Sequence, residues 1–224
     1  MPSASKSHLR AAWELFKRHW QAFVLAQLAV VSAWITLEVA VVTARRSGIP
    51  PVAYWPVWLC LHLAFLWLFC GLMAGIYSMA LQAVDGGVPT FATTFGRLDH
   101  GKTYFLTSLV YWAAVVGGLC LAVVPGAIAA VRWSLFRFVL AGDAHSVLPS
   151  LHESASLSVS RRWPLFRVLV VSAALNLAGA AVLGVGLLIT FPVTIMLRAS
   201  HFRALQQLAA VSGHDPSLST APGA

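Results

Sequence analysis

KTYFLTSLVYWAAVVGGLCLAVVPGAIAAVRWSLFRFVLAGD, residues Lys102 to Asp143, is the stretch whose reading decides the fold. Two apolar runs, Tyr104 to Val124 and Ala127 to Ala141, meet in it at Pro125-Gly126, and the second carries Arg132 and Arg137. At about 1.5 Å per residue, the first run covers the roughly 30 Å hydrocarbon core of a bilayer, and a Pro-Gly pair between two such runs predicts a turn. The stretch reads as a membrane-buried helical hairpin.

Similar pairs of apolar runs lie on both sides of it. Upstream, Ala22 to Val42 and Val57 to Ala83 are separated by a loop of Arg45, Arg46, Ser47, Gly48, Pro50 and Pro51. The first run lacks an Ala-x-Ala site, which predicts a retained signal anchor rather than a cleaved peptide. The second contains Gly71 and Gly75, a GxxxG spacing that lets another helix approach closely. Downstream, Leu165 to Leu197 is too long for one ordinary span and has Gly184 and Gly186 near its middle. Two short spans with a tight turn follow, with one long tilted helix as the alternative.

Each pair is preceded by a segment of mixed character. Leu9, Ala12, Trp13, Phe16 and Trp20 fall at helical spacing opposite Arg10, Glu14, Lys17 and Arg18, the pattern of an interfacial amphipathic helix. Phe91, Phe95 and Leu98 repeat it beside Arg97 and Asp99, and Ser150 with Glu153 forms a capping-box pattern opening a serine-rich third segment. The fold class expected is an all-α membrane protein with six transmembrane helices as three hairpins, each preceded by a short interfacial helix. Residues 1–20 are the N-terminal interfacial helix, 21–208 the six-helix transmembrane domain, and 209–224, poor in apolar residues, a disordered tail.

Composition agrees with a bilayer. The chain is 59% hydrophobic and 10% charged, with a mean hydropathy of +0.79, against about 25% charged residues in soluble domains. The net charge of +8 sits in short segments beside apolar runs, where it orients the chain; no groove-reading helix or stacking motif goes with it, so nucleic acid is not the expected partner. Lys6, Arg10, Lys17, Arg18, Arg97, Lys102, Arg161, Arg162 and Arg203 fall on the side of the N-terminus, opposite Arg45 and Arg46, which predicts cytoplasmic termini. The basic junctions point to membrane lipids with anionic headgroups as partners.

Over Trp133 to Leu205 the punctuation is more specific. Glu153-Ser154-Ala155, Arg161-Arg162-Trp163-Pro164-Leu165-Phe166, Gly184-Val185-Gly186, Thr190-Phe191-Pro192 and His201-Phe202-Arg203-Ala204-Leu205 occur in order. This pattern resembles an uncharacterised family of bacterial multi-pass inner-membrane proteins, similar to the membrane domain fused to some glycerophosphodiester phosphodiesterases. The resemblance implies six helices and the bacterial inner membrane, and it offers no catalytic residues; the phosphodiesterase domain has no counterpart in this chain.

Glu38, Arg132, Arg137 and Asn176 are the intramembrane polar candidates. A charge near the bilayer centre costs at least about 2.5 to 3.5 kcal/mol on insertion scales, so it faces a partner or water. Glu38 and Arg132 fall at similar depth and are expected to pair, Arg137 to snorkel towards the cytoplasmic surface, and Asn176 to bond a neighbouring helix. His62 reads as a satisfied histidine rather than a proton relay. His100, His145, His152 and His201 lie near Asp99, Asp143 and Glu153 without metal-ligand spacing, and no P-loop, GxSxG, GxGxxG or paired-carboxylate motif is present, so no metal, cofactor or enzymatic activity is expected. The function that follows is a non-enzymatic, lipid-contacting inner-membrane protein acting in envelope organisation. The alternative is a small transporter or channel component with an intramembrane arginine site.

Overall fold

The computed structural model describes residues 4–48, 50–142, 146–159, 162–182 and 184–213. Among these the regular elements are helical: α1 (Ala4–Arg46), α2 (Pro51–Val84), α3 (Gly101–Leu121), α4 (Val123–Arg132), α5 (Phe136–Ala141), α6 (Val147–Val159), α7 (Arg162–Ala181) and α8 (Leu187–Gly213). Two 3-10 turns, Phe91–Thr94 and Leu98–His100, lie between α2 and α3. Among the described residues, five stretches are long and apolar enough to cross a bilayer: Leu9–Arg46, Val52–Val84, Phe91–Leu121, Val124–Ala141 and Arg162–Ala181. Helix α8 is not among the five; Thr190, Thr194, Arg198, Ser200 and His201 dilute its apolar character.

The second half of α2 is the axis of the molecule. Residues 70–81 are buried throughout, and α1, α3, α5, α8 and both 3-10 turns pack on α2. The first half of the same helix exposes Val52, Val57, Leu59, Leu61 and Leu63. An apolar outer surface on a packed helix is suited to hydrocarbon, where it has no water to avoid.

Helix α1 runs unbroken over 43 residues, about 64 Å at 1.5 Å per residue. The separate interfacial helix expected over residues 1–20 is therefore corrected: Ala12, Phe16, Phe23 and Ala26 form one buried stripe that joins the protein core. The apolar side of the N-terminal segment is thus covered by protein, and Trp13 and Trp20 are left on the outside.

The second interfacial α-helix is also absent; its residues form the two 3-10 turns, and the reason lies in Gly71 and Gly75. A Cβ on Gly71 would stand 2.9 Å from Leu98 Cδ2, and one on Gly75 would overlap the Thr94 carbonyl oxygen. The two glycines thus receive the connecting segment of this same chain, and the segment's buried Thr94 sits where a regular helix has no room.

In the opening stretch, the turn falls at Ala122, which is extended (φ −171°, ψ 160°) between α3 and α4. Pro125 lies in the first turn of α4, where its missing N–H is one the helix would leave unpaired in any case. Gly126 serves the packing of the pair: a Cβ on Gly118 would fall 2.8 Å from Gly126 Cα.

The last part resolves into two helices rather than one long one. Gly184, at φ +74°, occupies the left-handed region in the connection between α7 and α8, and the two helices pack on each other. Past Leu208 the helix continues to Gly213, so the expected tail begins no earlier than there, and residues 214–224 lie outside the described residues. Helix α6 starts at Val147, and Ser150 Oγ donates within it to the Val147 carbonyl at 2.7 Å. Ser150 therefore does not act as an N-cap, because the helix begins before it.

Candidate functional site

The site is built from an interruption. Val124–Ala141 is one stretch long enough to span, but its helix stops at Arg132 and resumes at Phe136. Each backbone group left unsatisfied in hydrocarbon costs several kcal/mol, so an interrupted helix at membrane depth needs partners from the protein. Ser154 Oγ on α6 accepts from Leu135 N at 3.2 Å and lies 3.3 Å from the Arg132 carbonyl, to which it donates. Ser158 Oγ lies 3.1 Å from that carbonyl. The Ser134 carbonyl accepts from Arg198 Nη2 on α8 at 2.9 Å.

Ser150, Ser154 and Ser158 are fully buried and recur every four residues, so α6 turns one small polar stripe to the interruption. This is what the serine-rich composition of α6 supplies. Small hydroxyls allow close approach and then bond the exposed backbone.

Arg137 stands in the first turn of α5, immediately after the break, and inside the protein. The expectation that it snorkels to the surface is corrected: its Nη1 donates to Tyr77 Oη at 3.0 Å, and its guanidinium carbon lies 5.8 Å from the Tyr77 ring centre and 5.9 Å from that of Tyr111. The side chain is caught by an aromatic cage before it can extend. Arg198 lies close by, its guanidinium carbon 6.0 Å from the Phe138 ring centre. The Nε atoms of both arginines are buried without a hydrogen-bond partner. Among the described residues, no carboxylate forms an ion pair with either.

The expected pair of Glu38 and Arg132 does not form. Glu38 Oε1 lies 3.7 Å from His62 Nε2, α1 packs on α2 and α8, and the Arg132 side chain is exposed. The helix carrying Arg132 packs instead on α3, α6 and α7, so the two residues sit on helices with different neighbours. What Arg132 brings to the centre is its carbonyl. His62 is satisfied, with Nδ1 donating to the Trp58 carbonyl at 2.8 Å and its ring 4.2 Å from that of Trp58.

Asn176 bonds across helices: its Nδ2 donates to Thr194 Oγ1 at 3.2 Å, joining α7 to α8. The residue that reading the sequence missed is Arg198. It follows Leu197 directly, where the apolar run ends, and so looks like a helix-end charge; the only signal is its place one turn beyond Thr194 on the same helix.

Two cavities flank the centre. One, of about 560 Å³, is polar and lies between the ends of α2, α5, α6 and α8, with Asp85, Arg97, Glu153 and Arg203 in its wall. Arg203 Nε donates to Asp85 Oδ1 at 2.8 Å, clamping α8 to the end of α2, and Arg97 Nη1 donates to the Gly142 carbonyl at 3.0 Å. Phe138 and Phe202, stacked at 5.7 Å, close its inner side. The other, of about 380 Å³, is apolar apart from Arg137, Tyr77, Tyr104 and Ser108. Among the described residues, no group of three or more His, Cys, Asp or Glu side chains is arranged to hold a metal ion; Asp143 and His145 lie outside them.

These features define a helical protein compatible with integral residence in a membrane, with a broken helix repaired by serines and an arginine. No family model, curated protein or solved structure matches the chain.

Proposed function

We propose that this is a non-enzymatic integral membrane protein of six spans, α8 being the sixth, with both termini cytoplasmic in a bacterial inner membrane and with lipid as its principal partner. The observation that carries this reading is the use made of the buried polar groups: Ser154, Ser158 and Arg198 bond an interrupted backbone, and Asn176 bonds Thr194. They are occupied in holding helices together, the work of a structural membrane component. A sixth span that is not uniformly apolar is supported by the burial of Val193, Ile195, Met196, Leu197 and Ala199, which face protein rather than lipid. The resemblance over residues 133–205 covers the stretch that supplies the interruption, α6 and Arg198, and it points to the same membrane family.

The test is purification from native membranes in mild detergent with the retained lipid identified. Enrichment of anionic phospholipid over its share of the membrane is the expected result, and retention in bulk proportion would end the lipid-partner reading.

A small transporter is the second reading, favoured by the polar cavity of about 560 Å³ that ends on the Phe138–Phe202 stack close to Arg198. Solute flux in proteoliposomes that responds to Phe202→Ala is its signature.

A further inference from the structure

We infer that the apolar pocket of about 380 Å³ bounded by α2, α3 and α5 binds a single-chain anionic amphiphile, its carboxylate or phosphate on Arg137 and its chain along Leu66, Phe69 and Trp112. The inference rests on the reading above that the chain lives in lipid, and it names a site within it.

Charge is the first argument. A guanidinium stays protonated in proteins and carries five donors. Arg137 spends one on Tyr77, and its buried Nε has no partner. Arg198, the other guanidinium at this centre, carries a like charge and so cannot pair with it. A buried charge is costly unless paired, so an arriving anion gains what no carboxylate among the described residues provides.

The second argument is the shape and chemistry of the wall. Leu109 and Trp112 at the mouth are 55% and 52% exposed on the outer surface, so the pocket opens sideways, where lipid would be, and not to the polar end of the bundle. Leu66 and Phe69 also line a neighbouring apolar cavity of about 530 Å³ between α1 and α2. Leu66 and Phe105 line a third, of about 300 Å³, beside Lys102. All three are lined by Leu66, so apolar hollows adjoin the pocket on both sides of that residue. A free inorganic anion would have to pass the same apolar mouth without a chain to bury there. The chemistry therefore favours an anion that is itself attached to a hydrocarbon.

The experiment uses the full chain in an uncharged detergent, with a bromine-labelled stearate as probe and quenching of tryptophan fluorescence, to which Trp112 contributes at the mouth, as the readout. Stearate is expected to bind at least about tenfold more tightly than the brominated alcohol of equal length, the worth of one charge-assisted contact. Inorganic phosphate is expected not to displace it. Arg137→Gln should lose that tenfold and Arg137→Lys retain part of it. Ser108→Trp, which fills the pocket and leaves the charge in place, should lose binding as well, and it decides the matter if Arg137→Gln fails to fold. Equal affinity for acid and alcohol, full binding in Ser108→Trp, or displacement by inorganic phosphate would each overturn the inference. Phospholipid retained by the same preparations is measured alongside. If it is retained while stearate does not bind, the site is wrong and the lipid-partner reading stands; loss of both overturns both.

Discussion

Arg198 Nη2 lies 2.9 Å from the carbonyl oxygen of Ser134, 64 residues earlier in the chain, so a side chain of the last helix completes the backbone of an interrupted one. That contact ties the break between α4 and α5 to α8. Helices in a bilayer gain nothing from hiding apolar surface from one another, since lipid is equally apolar; hydrogen bonds and close packing must hold them. The interruption at residues 133–135 offers such bonds, and α6 and α8 take them.

Arg198→Met should therefore destabilise the protein, because it leaves the Ser134 carbonyl buried without its donor. The expected cost is about 1 to 3 kcal/mol, with Arg198→Lys recovering part of it, read by thermal unfolding in detergent. A Met variant as stable as the parent would mean that water already serves this carbonyl.

Gly75 and Gly117 offer a controlled contrast. A methyl on Gly75 would collide with the Thr94 carbonyl oxygen, whereas one on Gly117 meets nothing within 4 Å. Gly75→Ala should cost about 1 to 3 kcal/mol by forcing the 3-10 turns away from α2. Gly117→Ala, in the interior of α3, should be neutral or gain up to about 1 kcal/mol from helix propensity. Equal tolerance of both changes would show that the connecting segment does not rest on α2.

Those glycines also mark how far the sequence could be read. Hydropathy found the five stretches long and apolar enough to span, though not α8, and Gly184 located the last turn, because both depend on local composition. Gly71 and Gly75 announced a close approach by another helix, but the partner is the 3-10 connection, with Leu98 on Gly71 and Thr94 on Gly75, since the partner is chosen by three-dimensional packing. The repeated amphipathic pattern suggested three like segments, yet the first joins α1 and the core, the second becomes 3-10 turns and the third turns serines inward. Amphipathic spacing says that one face is apolar; it does not say whether lipid or protein covers it. Of the site, Arg137 and Asn176 were visible as polar residues in apolar runs. Arg198 was not, because a charge at the end of a run looks the same whether it faces headgroups or the core.

Glu38 and His62 should be coupled. Their closest atoms, Oε1 and Nε2, are 3.7 Å apart, and His62 Nδ1 already donates to the Trp58 carbonyl. Both atoms of the close approach accept hydrogen bonds when unprotonated, so the pair is attractive only while a proton is held on one of them. Glu38→Gln and His62→Gln should show a non-additive effect on stability in a double-mutant cycle, whereas Glu38→Gln and Arg132→Gln should add. Coupling in the second cycle and none in the first would reinstate the Glu38–Arg132 pair.

The topology is open to direct test, and α8 is where it is decided. With both termini on the cytoplasmic side, reporters fused after Val42 and after Pro125 should report the outside, and those after Gly87 the cytoplasm. The connection between α7 and α8, at Gly184, is then outside, and α8 must return through the bilayer carrying Arg198. A helix with that charge crosses at tolerable cost only if the arginine faces protein. Its bond to Ser134 and its place above Phe138 meet that condition, while Arg203 reaches Asp85 at the end of α2. A reporter after Gly184 should accordingly be external in the parent chain, and in Arg198→Met as well, since the change removes a charge from the span. A cytoplasmic reporter at Gly184 would mean that α7 does not cross, and the six-span arrangement with cytoplasmic termini would fall.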